Sequence, residues 1–135
     1  MSGSENIETT KGIYAALGRA DVGTILDAVT DDVDWATDTT STGAPWYGAR
    51  KGKDGVASFF EALATTMEIE DFTPLVFAVT DDGDVLTVVR YTHRSRETGK
   101  AASMHLHHWF RFTNGKISYC RCTEDTAGTV ATLIP

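Results

Sequence analysis

Histidines and carboxylates lie close together in the last third of the chain, and these residue types are suited to acid–base chemistry. His105, His107 and His108 occupy one apolar segment, and Glu124 and Asp125 occupy the next. Histidine exchanges a proton near neutral pH, and a carboxylate can act as the matching base. We therefore treat this region as the candidate site and ask which of its side chains face inward.

An Asn-Gly pair separates the two segments, 101–112 and 117–126. Both segments are rich in aromatic and β-branched residues, and Asn-Gly between such runs is typical of a β-hairpin turn. Because side chains alternate between the two faces of a strand, the register of the hairpin decides which of them meet.

The preceding strand, 85–95, fixes the inner face of this sheet. A two-residue turn at Thr98-Gly99 pairs Val89 with His108, and directly opposed residues share a face. His108 then lies in the middle of the more apolar face, which we expect to be covered by helices. The members of this face are Val85, Val89, Tyr91, His93, Met104, Leu106, His108, Phe110 and Phe112.

The second turn has two solutions. A two-residue Asn-Gly turn directs Asp125 inward. A three-residue turn with a glycine bulge shifts the register by one residue, so that Cys120, Cys122 and Glu124 face inward instead. Both solutions place His108 inside with a carboxylate near the end of the last strand, and they differ in which carboxylate it is.

Composition and charge exclude several classes of function. The 135 residues include 12 Lys and Arg against 19 Asp and Glu, giving a net charge of −7. This acidic balance argues against a nucleic-acid partner or an anionic membrane surface. The polar start and the short apolar runs predict neither a signal peptide nor a membrane span. We expect one cytoplasmic domain spanning residues 1–135.

The order of the elements is typical of an α+β fold. Apolar residues recur at helical spacing in the N-terminal segment, where Ser4 and Asp21 are candidate caps, and most clearly from Val56 to Met67. Period-two patterns predict the strands 31–37 and 72–80 besides the strands already described. We predict N-terminal helices packed on a strongly curved, mostly antiparallel sheet. A short terminal helix at 127–133 follows, with Asp125 or Thr126 as its cap.

Short motifs occur in an order that resembles the SnoaL-like polyketide cyclases. The motifs are YAALGRAD at 14–21, DDVDW at 31–35, GKDGVASFF at 52–60, TGK at 98–100, HWFRFTNGKI at 108–117 and DT at 125–126. That family belongs to the nuclear transport factor 2-like (NTF2-like) superfamily, together with ketosteroid isomerase. The resemblance implies a cone, in which helices close a bent sheet around an apolar cavity, usually in a dimer.

The resemblance also implies roles for individual residues. His108 takes the place of the oxyanion-hole acid of the isomerases, and Tyr14 lies close to their tyrosine, with Ile13 aligning equally well. The isomerase base falls on Thr37 or, with a shift of one residue, on Asp38. A threonine at that place makes steroid-type isomerisation doubtful.

Asp125 matches the aspartate that closes the last strand of the family, although it is equally well placed to cap the terminal helix. His108 has the alternative role of a core histidine bonded to a neighbour. We predict His108, Tyr14, Asp38 and Asp125 as catalytic residues, with His108 neutral in an apolar cavity and either aspartate as the base.

Aromatic residues supply the predicted cavity wall and an outer apolar face. The predicted cavity residues are Trp35, Trp46, Phe59, Tyr91, His93 and Phe110. The opposite face of the sheet, which carries His107 and Trp109, is expected to form a homodimer interface. No metal site is expected from the nearby histidines and cysteines, because a sheet converges its ligands poorly on a tetrahedral ion.

These observations predict a cofactor-free acid–base isomerase or cyclase. Its substrate would be a small apolar molecule with a carbonyl group, polyketide- or steroid-like. The alternative is a non-catalytic ligand-binding or dimerisation module of the same fold. Hydrolysis of the limonene epoxide hydrolase kind is a third hypothesis, for which the sequence offers no clear Asp-Arg-Asp set.

Overall fold

The structure is a computed structural model that describes residues 2–135. The described chain forms helices α1 (Gly3–Gly18), α2 (Val22–Asp27), α3 (Gly52–Thr66) and α4 (Thr126–Leu133) and strands β1 (Val29–Thr37), β2 (Ala49–Lys51), β3 (Met67–Val79), β4 (Val85–Ser95), β5 (Ala101–Thr113) and β6 (Lys116–Thr123). The strands form one sheet in the order β2-β1-β6-β5-β4-β3. Only the β1–β6 pair of this described sheet is parallel. The predicted α+β fold is confirmed.

Side-chain caps begin three of the helices. Asp21 accepts a hydrogen bond from the backbone N–H of Thr24 at the start of α2, and Asp125 does the same for Gly128 in α4. Both caps were predicted from the residue types that satisfy free N–H groups at helix starts. The predicted cap of α1, Ser4, is wrong, because the helix begins earlier and Ser2 accepts from the backbone N–H of Glu5.

Bulges give the sheet its curvature. The β3–β4 pairing shifts register between Ile69 and Asp71 and again between Pro74 and Val76. An extra residue on one strand bends that strand and increases its twist. As the order of the strands shows, β3 lies at the sheet edge, where Pro74 is tolerated. The bent sheet wraps its inner face around the helices.

The β4–β5 hairpin has a longer turn than predicted. Arg94 pairs with Ala101, so His108 lies opposite Thr87 and not opposite Val89. A shift of two residues keeps every side chain on its predicted face, because the strand period is two. The predicted pairing is therefore wrong, and the predicted inner face is unchanged.

The β5–β6 hairpin combines features of both predicted solutions. Its turn has two residues, Asn114 and Gly115, with φ angles of 51° and 79° that suit the left-handed conformation of this turn type. The pairing then shifts by one residue after the pair Phe112–Ile117, so that His108 lies opposite Cys122. The bulge, and not the turn length, directs Cys120, Cys122 and Glu124 to the inner face.

The core lies between the helices and the inner face of the sheet. Its fully buried apolar side chains include Ile25, Val29, Val33, Val56, Val85, Val89 and Ile117. None of the helices within residues 2–135 is long and apolar enough to cross a membrane.

Candidate active site

A small cavity of about 60 Å³ lies between α1, α3 and the inner face of the sheet. Ligand pockets usually measure about 300–1,000 Å³ and a cavity that holds benzene about 150 Å³, so in the conformation described this cavity takes only a molecule smaller than benzene. Predicted cavity residues that border it are Trp35, Trp46, Phe59, Tyr91 and Phe110. His93, also predicted, is fully buried but does not border the cavity.

Three polar side chains meet at one side of the cavity. The Tyr14 hydroxyl lies 2.5 Å from Nδ1 of His108 and 2.7 Å from Oγ1 of Thr87. Tyr14 comes from the C-terminal half of α1, and Thr87 and His108 are a cross-strand pair of β4 and β5. Helix and sheet are therefore joined by a continuous hydrogen-bonded chain that ends at the cavity wall.

Burial keeps this chain uncharged at neutral pH. Desolvation lowers the pKa of His108 to about 4, with a smaller contribution from the nearby His107. Desolvation also raises the pKa of the Tyr14 hydroxyl far above its ordinary value. A neutral imidazole has one N–H, so when Tyr14 donates to Nδ1 the proton of His108 sits on Nε2. In the part of the chain that the structure describes, Nε2 has no hydrogen-bond partner.

A carboxylate, Glu124, lines the same cavity. Tyr47 and Thr129 donate their hydroxyl protons to Oε2 over 2.9 Å and 2.8 Å, and the Trp46 indole N–H donates to Oε1 over 3.3 Å. Glu124 forms no ion pair with any described residue. It is thus a half-buried carboxylate held by neutral donors in a largely aromatic wall.

The two aspartates predicted as bases do not lie at the cavity. Asp125 is exposed and caps α4. Asp38 is exposed in a separate surface depression that His108 also borders, together with residues of the outer face of the sheet. Thr37, the other candidate for the isomerase base position, is buried, and its hydroxyl oxygen has no hydrogen-bond partner among the described residues. Because the β6 bulge directs Glu124 inward, Asp125 on the next position points away.

The two cysteines contribute neutral, unreactive surface. Cys120 and Cys122 both line the cavity and are free thiols. Burial raises the pKa of each thiol well above its ordinary value. The thiolate is the nucleophile and the metal-binding form of cysteine, so these thiols are inert at neutral pH. Within residues 2–135, no group of three or more histidine, cysteine or acidic side chains is arranged to hold a metal ion.

Comparison with known proteins identifies the family. The sequence matches the SnoaL-like domain over residues 11–120. The chain belongs to the SnoaL-like family. The predicted family is thus confirmed, and Glu124 of this SnoaL-like protein lies just beyond the matched segment.

Solved structures share the fold of this SnoaL-like chain. An NTF2-like protein of unknown function from Burkholderia pseudomallei has a TM-score of 0.88 and 24% identity over 100% of both chains. TerC co-crystallised with polyporic acid has a TM-score of 0.82 and 21% identity over 96% of this chain and 98% of its own. An LEH-like epoxide hydrolase from M. tuberculosis has a TM-score of 0.73 and 16% identity over 96% and 90%. A comparison with curated proteins gives no match.

Sequence reasoning missed three partners of the site, Thr87, Tyr47 and Thr129. Thr87 is an isolated threonine in a strand and Thr129 one in a helix. Nothing in the sequence around an isolated threonine indicates that its hydroxyl contacts a site. Glu124 was visible only in one of the two registers of the last hairpin, so it was not among the predicted catalytic residues.

Proposed function

We propose that this SnoaL-like protein is a cofactor-free acid–base isomerase or cyclase acting on a compact, largely apolar substrate with a carbonyl group. One observation carries the proposal. The neutral pair Tyr14–His108 and the carboxylate of Glu124 border one apolar cavity, so a hydrogen-bond donor and a base are available to the same small molecule. Such a site needs two groups that hold opposite protonation states at one pH.

Glu124 acts as the base in this proposal. It removes a proton from the carbon beside the carbonyl, and the electron pair of the broken C–H bond moves into the enolate. The Nε2–H of His108 donates a hydrogen bond to the enolate oxygen, and Tyr14 holds the imidazole in that orientation. In a conjugated enone, return of the proton from Glu124 to the far carbon of the dienolate gives an isomer. In ring closure, the enolate carbon attacks a second carbonyl, whose π electrons move to its oxygen, and that oxygen takes the proton back from Glu124.

The apolar wall strengthens the interactions of the substrate with both Glu124 and His108. Glu124 is the one charged side chain among the described cavity residues, and the wall contains neither lysine nor arginine. Electrostatic stabilisation of a developing oxyanion is larger in a dry site, where one such donor contributes roughly 10²- to 10³-fold in rate. An anionic substrate would be repelled by Glu124, so we propose a neutral one.

The size of the cavity limits the substrate. A volume of about 60 Å³ is far too small for a steroid and is also smaller than the roughly 150 Å³ of a cavity that holds benzene. We therefore propose a compact ring, whose entry widens the cavity, and not the larger molecules considered from sequence. Larger ligands would require movement of the loop that carries Trp46. TerC, which has the same fold, was co-crystallised with polyporic acid, and this supports ligand binding here.

A second candidate function is ligand binding without catalysis. It is favoured by the three donors already bonded to Glu124, since these hydrogen bonds occupy both carboxylate oxygens. In this alternative Glu124 anchors the loop of Trp46 and Tyr47, and His108 orients a ligand.

We also propose that the outer face of the sheet is a homodimer interface. Val76, Leu86 and Trp109 on this face are 48%, 41% and 36% exposed. Contiguous exposed apolar side chains are unusual on a monomer and mark interaction surfaces.

A proton-exchange screen tests the proposed catalysis across a range of candidate substrates. Small cyclic ketones and enones are incubated with the protein in D₂O, and exchange at the carbon beside the carbonyl is followed by NMR. We expect exchange above the buffer rate for at least one neutral ring. Binding without exchange, detected through the fluorescence of the cavity residues Trp35 and Trp46, would support the non-catalytic alternative.

A further inference from the structure

A buried histidine lies behind the cavity wall and reaches Glu124 through one threonine. Nε2 of His93 is 3.2 Å from Oγ1 of Thr129, and the same Oγ1 is 2.8 Å from Oε2 of Glu124. His93 is 1% exposed and Thr129 is fully buried. Neither residue borders the cavity, so neither is placed to touch a ligand.

The chemistry of the three groups fixes where the protons lie. An ionised carboxylate only accepts hydrogen bonds, so the single hydroxyl proton of Thr129 points to Glu124. Oγ1 of Thr129 must then accept its other hydrogen bond, which comes from the Nε2–H of His93. The remaining nitrogen, Nδ1 of His93, carries no proton, and it is buried without a hydrogen-bond partner among the described residues. Burial also lowers the pKa of His93 to about 4, so the ring stays neutral.

The two oxygens of Glu124 are bonded unequally. Oε2 accepts from both Tyr47 and Thr129 at short distances, whereas Oε1 accepts only the longer bond from Trp46. Hydrogen bonds that continue through a chain of donors strengthen one another, so His93 makes Thr129 a better donor to Oε2. Oε1 is left as the oxygen with the single and longer hydrogen bond, and so with more free acceptor capacity.

We propose that His93 is a positioning residue for the base. Through Thr129 it fixes the rotation of the Glu124 carboxylate, so that Oε1 and not Oε2 takes the proton from the substrate. This inference rests on the proposed role of Glu124 as the base. It gives His93, which lies outside the cavity, a function in the reaction.

Paired substitutions separate this hydrogen-bonding role from packing. Thr129→Val removes the hydroxyl at nearly constant shape, and Thr129→Ser keeps it. His93→Leu removes the N–H, and His93→Gln can place an amide N–H near the position of Nε2. We expect Thr129→Val and His93→Leu to lower kcat for proton exchange by roughly 10- to 100-fold with little change in KM, since a misplaced catalytic group costs rate. Thr129→Ser and His93→Gln should restore most of it.

The histidine tautomer gives a second measurement that needs no substrate. In ¹⁵N NMR at pH 7, the His93 ring, assigned by comparison with His93→Gln, should be neutral with its proton on Nε2. A proton on Nδ1, or equal losses of kcat in all four variants, would overturn the inference. If exchange is absent or survives Glu124→Gln, the proposed function fails, while the tautomer still shows whether the chain from His93 to Glu124 exists.

Discussion

The Tyr14 hydroxyl and Nδ1 of His108 are 2.5 Å apart, so a residue of the first helix and a residue of the fifth strand share a hydrogen bond at the cavity wall. Thr87 bonds the same hydroxyl from β4. The contact places a neutral donor in an apolar site, with a carboxylate on the wall of the same cavity. Substitutions at the donor pair Tyr14–His108 and at the base Glu124 should therefore change the activity in different ways.

Removing the Tyr14 hydroxyl should reduce activity more than stability. Tyr14→Phe keeps the ring but frees the imidazole of His108, and we expect kcat for proton exchange to fall roughly 10²-fold. Loss of the buried hydrogen bonds should lower the free energy of unfolding by about 1–3 kcal/mol. Exchange rates and urea unfolding measure the two effects. Thr87→Val, which leaves Tyr14 bonded to His108, should produce a smaller loss of rate. An equal or larger loss would contradict the role of Tyr14 as the residue that orients His108.

Mild acid should destabilise the fold through two desolvated histidines, the buried His93 and the partly buried His108. The pKa of His93 and that of His108 are each lowered to about 4, against about 6.5 in the unfolded chain. Between these values the unfolded state binds more protons, so stability is fully present above pH 6.5 and declines as the pH falls towards 4. Urea midpoints at pH 7 and pH 5 test this. The midpoint should fall less in His93→Gln, and an identical fall would show that His93 does not contribute.

The cavity thiols should resist modification. Because burial raises the pKa of Cys120 and Cys122, an aromatic disulfide reagent at pH 8 should label neither residue in the native protein. Both should react after unfolding in guanidinium chloride, which serves as the control. Rapid labelling of the native protein would mean that the cavity opens to solvent more widely than the structure indicates.

Charge on the outer face should separate a homodimer. Leu86→Glu introduces a carboxylate at the centre of the proposed interface, opposite Trp109 on the neighbouring strand. We expect sedimentation velocity to show a dimer for the unmodified protein and a monomer for this variant. Glu97→Gln, in the turn between β4 and β5, is the control and should remain a dimer. If the unmodified protein is a monomer, the proposed homodimer interface is wrong.

The sequence was sufficient for the fold because its signals were redundant. The apolar stripe of α3, the alternation of β4 and the Asn-Gly turn each indicated one element. The predicted inner face of β5 is right although the predicted turn length is wrong. An error of two residues in the pairing leaves His108 on the same side of the sheet.

The candidate base could not be assigned from sequence, because one bulge in β6 decides it. Whether Glu124 or Asp125 faces inward depends on a register shift after Phe112 and Ile117, and no residue there indicates a bulge. Asp125 had the right chemistry and a matching motif, but its carboxylate is used to cap α4. The loop donor Tyr47 was likewise unpredictable as a partner of Glu124, since 77 positions separate them.

The most direct measurement is deuterium exchange beside the carbonyl of a bound cyclic ketone, compared among three carboxylate variants. We predict that Glu124→Gln abolishes exchange while the ketone still quenches tryptophan fluorescence, and that Asp38→Asn and Asp125→Asn retain exchange near the unmodified rate. Exchange that survives Glu124→Gln, or that is lost in either aspartate variant with the fold intact, would contradict the assignment of Glu124 as the base.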